Sequence, residues 1–341
     1  MLTERQELIL RKAVEGFLEA GQPVGSKLLS ADLEITWGPS TVRHELAVLE
    51  DEGLLSHPHT SAGRVPTDAG YRYFVDQLLP ATLSPAPAPL DLSHVRREVD
   101  DAMRLTTEAL SQVTSLLAVV SAPPIETATI RHIEVLVLQP QVLMVVVITS
   151  TGGVTKRLFT FEAPVDTGLA DWAAAYLNER LVGFGLGARM LGARLDDPGL
   201  SGTERAFVAG LAPAFTELAA APQETLYVDG AARLLSEHAF EDVGQLNALL
   251  EMLERRVALL GVMRHVLDEP GEVHVRIGGE NELPALQSLA VVAAQYGLPQ
   301  RGLGTVSVIG PRRMDYATAI SSVRGAAREL SRFVQDVYDE R

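Results

Sequence analysis

Residues 38–66, GPSTVRHELAVLEDEGLLSHPHTSAGRVP, hold the side chains whose types and spacing predict a specific chemistry. Apolar residues recur there at i, i+4 and i+7, which gives a helix one apolar stripe: Val42, Leu46 and Leu49. The side chains outside that stripe include Ser40, Thr41, Arg43 and His44. Hydroxyl and guanidinium groups on the open face of a helix can hydrogen-bond to base edges in the major groove of duplex DNA. We therefore predict a DNA-reading helix, with Arg43 contacting either a guanine edge or a phosphate.

A short hairpin is predicted directly after this helix, formed by residues 54–58 and 64–66 around a Ser-Ala-Gly tip at 61–63. Arg64 is expected to contact phosphate or a minor groove, and the alternative is a solvated strand residue. His57 and His59 are not expected to bind a metal, since no cysteine is available and a proline separates them. The further DNA contacts that we expect are Ser26, Lys27, His59, Thr60 and Arg64.

The elements that position these side chains begin with a helix from Thr3, whose spacing to Gln6 is that of a capping box, to Gly21. A second helix is expected over 26–33, and the reading helix should start at Pro39 and end before Gly53. A further helix follows from Thr67 to residue 79. Together these elements predict a winged helix-turn-helix domain at 1–79, followed by a Pro/Ala-rich linker at 80–91.

The remaining chain predicts an α+β, multidomain fold. A helix is expected at 92–120, then an antiparallel meander of strands at 133–138, 142–149 and 154–161, then a helix at 169–181. Residues 183–222 are the least regular. Further strands are expected at 226–229, 273–277, 289–293 and 305–309, with helices at 231–238, 243–267 and 313–338.

The composition excludes several classes of protein. The chain has no cysteine and no apolar run long enough to span a membrane, so we expect a cytoplasmic protein without disulfides. Its net charge of −15 is unusual for a protein that binds DNA. Residues 1–78 hold seven Lys and Arg against twelve Asp and Glu. A DNA-binding domain with this charge should depend on specific contacts more than on bulk attraction. No catalytic constellation is evident, so we predict no enzyme and no cofactor. A glycine-rich run at 183–188 lacks the strand-to-helix setting of a dinucleotide site.

Taken in order, the motifs resemble those of the HrcA family of heat-inducible transcription repressors. The matching segments are LTERQELIL, PVGSKLLS, PSTVRHELAVLEDEGLL, HPHTSAGRVPTDAGYRYFVD, YVDGAARLL, IGGEN and GTVSVIGPRRMDY. The resemblance implies a GAF-like antiparallel-sheet domain in two segments, 92–186 and 243–341, with an inserted dimerisation domain at 187–242. It also implies a homodimer that binds an inverted-repeat operator in double-stranded DNA ahead of chaperone genes, is released on heat stress, and has the GroE chaperonin as a partner. His44 stands where this family typically has Asn.

Two downstream motifs leave alternatives open. The IGGEN motif at 277–281 could hold a small ligand, which would make the chain a metabolite-responsive regulator, or it could be a turn with local hydrogen bonds. We favour the turn. The run from Arg312 to Tyr316 is expected to fix the last helix to the sheet or to the N-terminal domain. A third possible class of function is an enzyme with an appended DNA-binding module. Such an enzyme would need a cleft with clustered acid and base groups.

Overall fold

A computed structural model describes residues 2–58, 63–80, 92, 99–123, 128–150, 153–186, 191–216, 225–236, 272–299 and 301–339. These residues form a mixed α+β structure whose described strands lie in three antiparallel sheets, of two, five and three strands. No described helix is long and apolar enough to cross a membrane.

The N-terminal unit contains α1 (Glu4–Ala20), α2 (Ser26–Leu29), α3 (Pro39–Asp51), the strands β1 (Leu55–Ser56) and β2 (Val65–Pro66), and α4 (Asp68–Leu78). The predicted capping box is confirmed: Gln6 N donates to Thr3 Oγ1 at 3.4 Å, and Thr3 N donates to Gln6 Oε1 at 2.9 Å. The second helix is shorter than predicted. Asp32 accepts the Glu34 N–H at 2.8 Å, and this local turn competes with helical hydrogen bonding.

The five-stranded sheet has the order β7 (Leu226–Asp229), β3 (Leu117–Ser121), β10 (Arg301–Pro311), β9 (Leu289–Leu298) and β8 (His274–Ile277). Two long helices, α5 (Val99–Thr114) and α11 (Tyr316–Asp339), pack on this sheet. The predicted helix 92–120 is therefore wrong at its end. Ser115 adopts a left-handed φ of 56°, and the chain enters a fully buried strand. A short apolar run fits a buried strand as well as a helix, so periodicity could not separate the two.

The three-stranded sheet is the predicted meander of β4 (Ile130–Gln139), β5 (Val142–Thr149) and β6 (Val154–Thr160). It packs with α6 (Thr167–Leu181), α7 (Leu191–Leu195), α8 (Gly202–Leu211) and α9 (Pro213–Thr216) around its own apolar core. Asn178 joins helix to sheet, because its side chain accepts the N–H of Ile133 at 2.9 Å and donates to the same residue's carbonyl at 2.6 Å.

The sheets divide the chain differently from the expected domains. Strands β4–β6 lie within the expected segment 92–186, yet they form no part of the five-stranded sheet. Strand β7 lies within the expected insertion 187–242, yet it pairs with β3 in that sheet. It is followed by α10 (Ala231–Ser236). The three-stranded sheet and the helices that pack with it thus lie between β3 and β7 in the sequence. Sequence patterns indicate where strands lie but not which sheet each strand joins. The predicted helix 243–267 lies outside the described residues.

The N-terminal unit packs directly on the five-stranded sheet. Its α4 residue Asp68 accepts the Gly279 N–H at 3.1 Å and an Arg312 N–H at 3.0 Å. Tyr71 packs against the buried Tyr316, with ring centroids 6.0 Å apart. Apolar residues of the two units belong to one continuous core. The expectation that the 312–316 run fixes the last helix to the sheet or to the N-terminal unit is confirmed.

The 277–281 motif is a turn that also contributes to this contact. Asn281 is only 3% exposed, and its Nδ2 lies within 3.1–3.3 Å of three backbone carbonyl oxygens. Glu280 accepts the Ile277 N–H at 2.8 Å and is paired with Arg72 of α4. The predicted local hydrogen bonds are confirmed, and protein groups occupy both the Asn281 Nδ2 and the Glu280 carboxylate.

Candidate DNA-binding interface

Helix α3 has the boundaries and the buried face that its sequence predicts. Pro39 occupies its first position after Gly38. Gly53 follows it with a left-handed φ of 75°, a conformation that glycine adopts without a steric penalty. The stripe residues are buried, as expected: Val42, Leu46 and Leu49. The opposite face is therefore fixed in orientation by the packing of this stripe against α1 and α2.

A buried carboxylate also fixes this helix, and the sequence analysis did not identify it. Glu45 is 8% exposed and accepts hydrogen bonds from Arg5 Nη1 at 3.2 Å and from Gln6 Nε2 at 3.1 Å. Burying a carboxylate is favourable only when it is paired and hydrogen-bonded, and both conditions hold here. Glu45 lies three residues after Val42, on the side of the stripe. This spacing is the sequence signal that could have indicated its burial.

The outward side chains of α3 are Ser40, Arg43 and His44, which are exposed, and Thr41, which is half-buried. Lys27 of α2 is also exposed. Within the part of the chain that the structure describes, Arg43, His44 and Lys27 make no side-chain hydrogen bond or ion pair. These three groups are therefore available to a ligand outside the protein.

Other predicted contacts are placed differently. Ser26 is 9% exposed, so its side chain is largely covered by the protein. Of the neighbouring pair 26–27, only Lys27 presents its side chain to solvent. His59 and Thr60 lie outside the described residues, and the sheet at the base of their hairpin consists of β1 and β2, paired at Leu55–Pro66 and Ser56–Val65.

Arg64 is engaged within the protein. Its Nη2 lies 2.8 Å from Glu50 Oε2, its Nη1 contacts His57 Nε2, and Glu50 Oε1 contacts His57 Nδ1. We call Glu50, His57 and Arg64 the hairpin-base cluster. The backbone of Arg64 also pairs with Val24, with both N–H···O distances at 2.8 Å. The cluster joins the end of α3, the hairpin and the turn before α2.

Most remaining cations of the N-terminal unit are neutralised. Lys12 lies 2.7 Å from Glu34 and 3.5 Å from Asp32, and Arg11 lies 2.8 Å from Glu34. The hydrogen bond to Glu34 raises the pKa of Lys12 above its usual value, although burial opposes the shift. The positive charge that this unit offers to a polyanion is therefore concentrated in a few side chains around α3. In the described residues, no group of three His, Asp or Glu could hold a metal ion.

Comparison with known proteins relates the whole chain to one family. The family "HrcA protein C terminal domain" matches residues 100–320. Proteins named heat-inducible transcription repressor HrcA are similar over nearly their whole length. That of Parafrankia sp. is 36% identical over 96% of this chain and 97% of its own. That of Cutibacterium acnes is 36% identical over 98% and 100%, and that of Halalkalibacterium halodurans 33% identical over the whole of both.

A solved structure shares the fold. The crystal structure of a hypothetical protein at 2.2 Å resolution superposes with a TM-score of 0.70, at 22% identity, over 99% of this chain and 100% of that one. From the family match and the full-length relatives, the chain belongs to the HrcA family of heat-inducible transcription repressors, which is not a family of enzymes.

Proposed function

We propose that this protein represses chaperone operons in the cytoplasm by binding an inverted-repeat operator as a homodimer. In this proposal the N-terminal unit is a winged helix-turn-helix domain and the five-stranded unit is a GAF-like domain. The observation that carries the proposal is α3, whose stripe is buried and whose outward face presents Arg43 and His44, neither of them paired with a side chain of the described residues. The two-stranded hairpin beside it corresponds to the wing.

Duplex recognition would proceed from a few contacts. Helix α3 enters the major groove, where Ser40, Thr41, Arg43 and His44 approach base edges and phosphates. Lys27 of α2 meets the backbone, and the predicted contacts of His59 and Thr60 add to these. Ser26 can contribute through its backbone more readily than through its buried side chain. A contact of Arg64 with phosphate competes with its ion pair to Glu50, 2.8 Å away.

Replacing Arg43 by alanine tests this assignment. We expect operator affinity to fall by about 1–3 kcal/mol if Arg43 reads a base, with little change on unrelated duplex. If Arg43 instead binds phosphate, affinity should fall on both duplexes, with a shallower salt dependence. Arg332→Ala is the control, because it removes the same charge from an exposed residue of α11. Unchanged binding by Arg43→Ala would contradict the placement of the reading face.

The homodimer would form through the outer face of the three-stranded sheet. Every second residue of β5 points into the core, and the alternate residues face outward with their neighbours on β4 and β6. Exposed apolar side chains lie on that outer face: Leu136, Val154 and Leu158, which are 41%, 62% and 63% exposed. An apolar sheet face of this kind is suited to packing against another sheet about 10 Å away.

Charges on this face favour a second copy as the occupant. Glu134 of β4, Val146 of β5 and Lys156 of β6 lie in one row across the sheet. The acid and the base thus flank an apolar centre on opposite sides. A twofold axis parallel to β5 brings Glu134 opposite Lys156 of the partner subunit, and Lys156 opposite Glu134 of the partner subunit.

The oligomeric state of Val146→Glu tests the dimer. A carboxylate at the centre of the face should give a monomer in analytical ultracentrifugation. Val182→Glu, on α6's exposed C-terminal cap in the same unit, should remain a dimer. A dimeric Val146→Glu variant, or a monomeric unmodified protein, would contradict the proposed face.

We further propose that heat releases the repressor by partial unfolding and that the GroE chaperonin restores it. The family resemblance supports this, together with the long buried strands β9 and β10, whose apolar residues would aggregate if exposed. Purified protein that regained full operator affinity after heating and cooling without chaperonin would contradict it. The alternative of a small-molecule sensor is not favoured, because protein groups occupy the Asn281 Nδ2 and the Glu280 carboxylate of the 277–281 turn.

A further inference from the structure

The hairpin-base cluster brings together three side chains from separate parts of the N-terminal unit. Glu50 lies in the last turn of α3, His57 directly follows β1, and Arg64 directly precedes β2. Both oxygens of the Glu50 carboxylate are used, one by each partner. One carboxylate therefore engages the two basic side chains at the base of the hairpin.

Arg64 has little freedom to reach a partner beyond the protein. Its side chain is only 16% exposed, and its Nε is buried with no hydrogen-bond partner among the residues that the structure describes. Both backbone groups of Arg64 pair with Val24, which fixes the start of the side chain. The exchange of Glu50 for another acceptor is thus the route by which the guanidinium can leave the cluster.

The position of Glu50 makes this exchange relevant to DNA. Arg43 and Glu50 are seven residues apart on α3, which places them two turns apart on one helix. Non-specific binding to duplex DNA arises from cations that neutralise phosphates and release counterions. A carboxylate that occupies Arg64 removes one such cation from the surface and adds a charge that repels phosphate.

We infer that Glu50 lowers the non-specific DNA affinity of this protein by holding Arg64 and His57 in the hairpin-base cluster. Glu50 is then a positioning residue that makes binding depend on the base contacts of α3. The inference rests on the proposed DNA-binding function and adds a role that suits the acidic N-terminal unit: discrimination against duplex that lacks the operator.

The test is the salt dependence of binding to a non-operator duplex by the full-length protein. Glu50→Ala should bind this duplex more tightly than the unmodified protein, and its plot of log K against log salt should steepen by about 0.9, the contribution of one added phosphate contact. Glu52→Ala is the matched control. It removes the same charge two residues away, from an exposed side chain, and should leave the slope unchanged.

A second variant shows whether a steeper slope in Glu50→Ala comes from the freed Arg64 side chain or from a change in folding. In Glu50→Ala/Arg64→Ala the slope should return to that of the unmodified protein. The inference would be overturned if the slope of Glu50→Ala were unchanged or equal to that of Glu52→Ala. A shallower slope in Glu50→Ala together with lost operator binding would also overturn it. If the unmodified protein bound neither operator nor other duplex at low salt, the proposed function itself would fail.

Discussion

Replacing Gly278 by alanine should loosen the contact between the N-terminal unit and the five-stranded sheet. Gly278 has a left-handed φ of 53°, and a Cβ added there would lie 2.0 Å from Asp68 Oδ2. No side chain tolerates that approach, so Asp68 must withdraw. Its withdrawal breaks the hydrogen bond from Gly279 N and the ion pair with Arg312.

The expected loss of stability in Gly278→Ala is the sum of the strain and of these two lost interactions. An alanine in the left-handed region costs about 1–2 kcal/mol. The hydrogen bond to the charged carboxylate contributes about 1.5 kcal/mol, at the low end because Asp68 is partly exposed. The pair with Arg312 adds only about 0.5 kcal/mol, since solvent screens it. We therefore expect Gly278→Ala to lower the free energy of unfolding by about 3–4 kcal/mol.

Urea unfolding followed by circular dichroism measures this change, and the adjacent glycine supplies the control. A Cβ on Gly279 would lie 4.0 Å from Asp68 Oδ2, an ordinary contact, so Gly279→Ala should change stability by under about 1 kcal/mol. In an Asp68→Ala background the clash disappears, and Gly278→Ala should cost only the backbone strain. Equal effects of the two glycine substitutions, or a Gly278→Ala cost unaffected by Asp68→Ala, would show that the clash with Asp68 does not cause the destabilisation.

Three further outcomes are expected. Gly63→Ala should weaken operator binding severalfold in fluorescence anisotropy, because its Cβ would lie 2.5 Å from the Val24 carbonyl and displace the hairpin base; unchanged affinity would show that this close approach is unimportant. Burial raises the pKa of Tyr316 well above its usual value. Its contribution to stability should therefore be complete below about pH 10 and decline at higher pH, where the unfolded chain ionises, and Tyr316→Phe should reduce that decline in pH-dependent denaturation. Asn178→Ala leaves an N–H and a carbonyl of β4 without their side-chain partner, so the three-stranded unit should be destabilised by about 2–4 kcal/mol. Differential scanning calorimetry measures this change, and an unshifted transition would contradict the importance of these two hydrogen bonds.

Local patterns in the sequence predicted helix α3 accurately. Its apolar stripe, the proline at its start and the glycine after its end are set by residues that lie close together in the sequence. The same holds for the capping box at Thr3 and for the meander of β4–β6. These features depend on short-range chemistry that one sequence carries.

Long-range partners could not be predicted. Pairing of β7 with β3 spans more than a hundred residues, and nothing in either strand specifies the other. The engagement of Arg64 by Glu50 and the docking of Asp68 on Gly279 likewise require the folded arrangement. The direct packing of α4 on the sheet also shows that the Pro/Ala-rich segment is not the sole connection between the two units.

The binding of α3 to an inverted repeat can be tested by footprinting. Hydroxyl-radical and methylation footprinting would use the full-length protein on the promoter of its own chaperone genes. We expect two symmetric protected half-sites, with guanines protected in the major groove, and loss of that protection in Arg43→Ala. Absence of a symmetric footprint, or the same protection by Arg43→Ala, would contradict it.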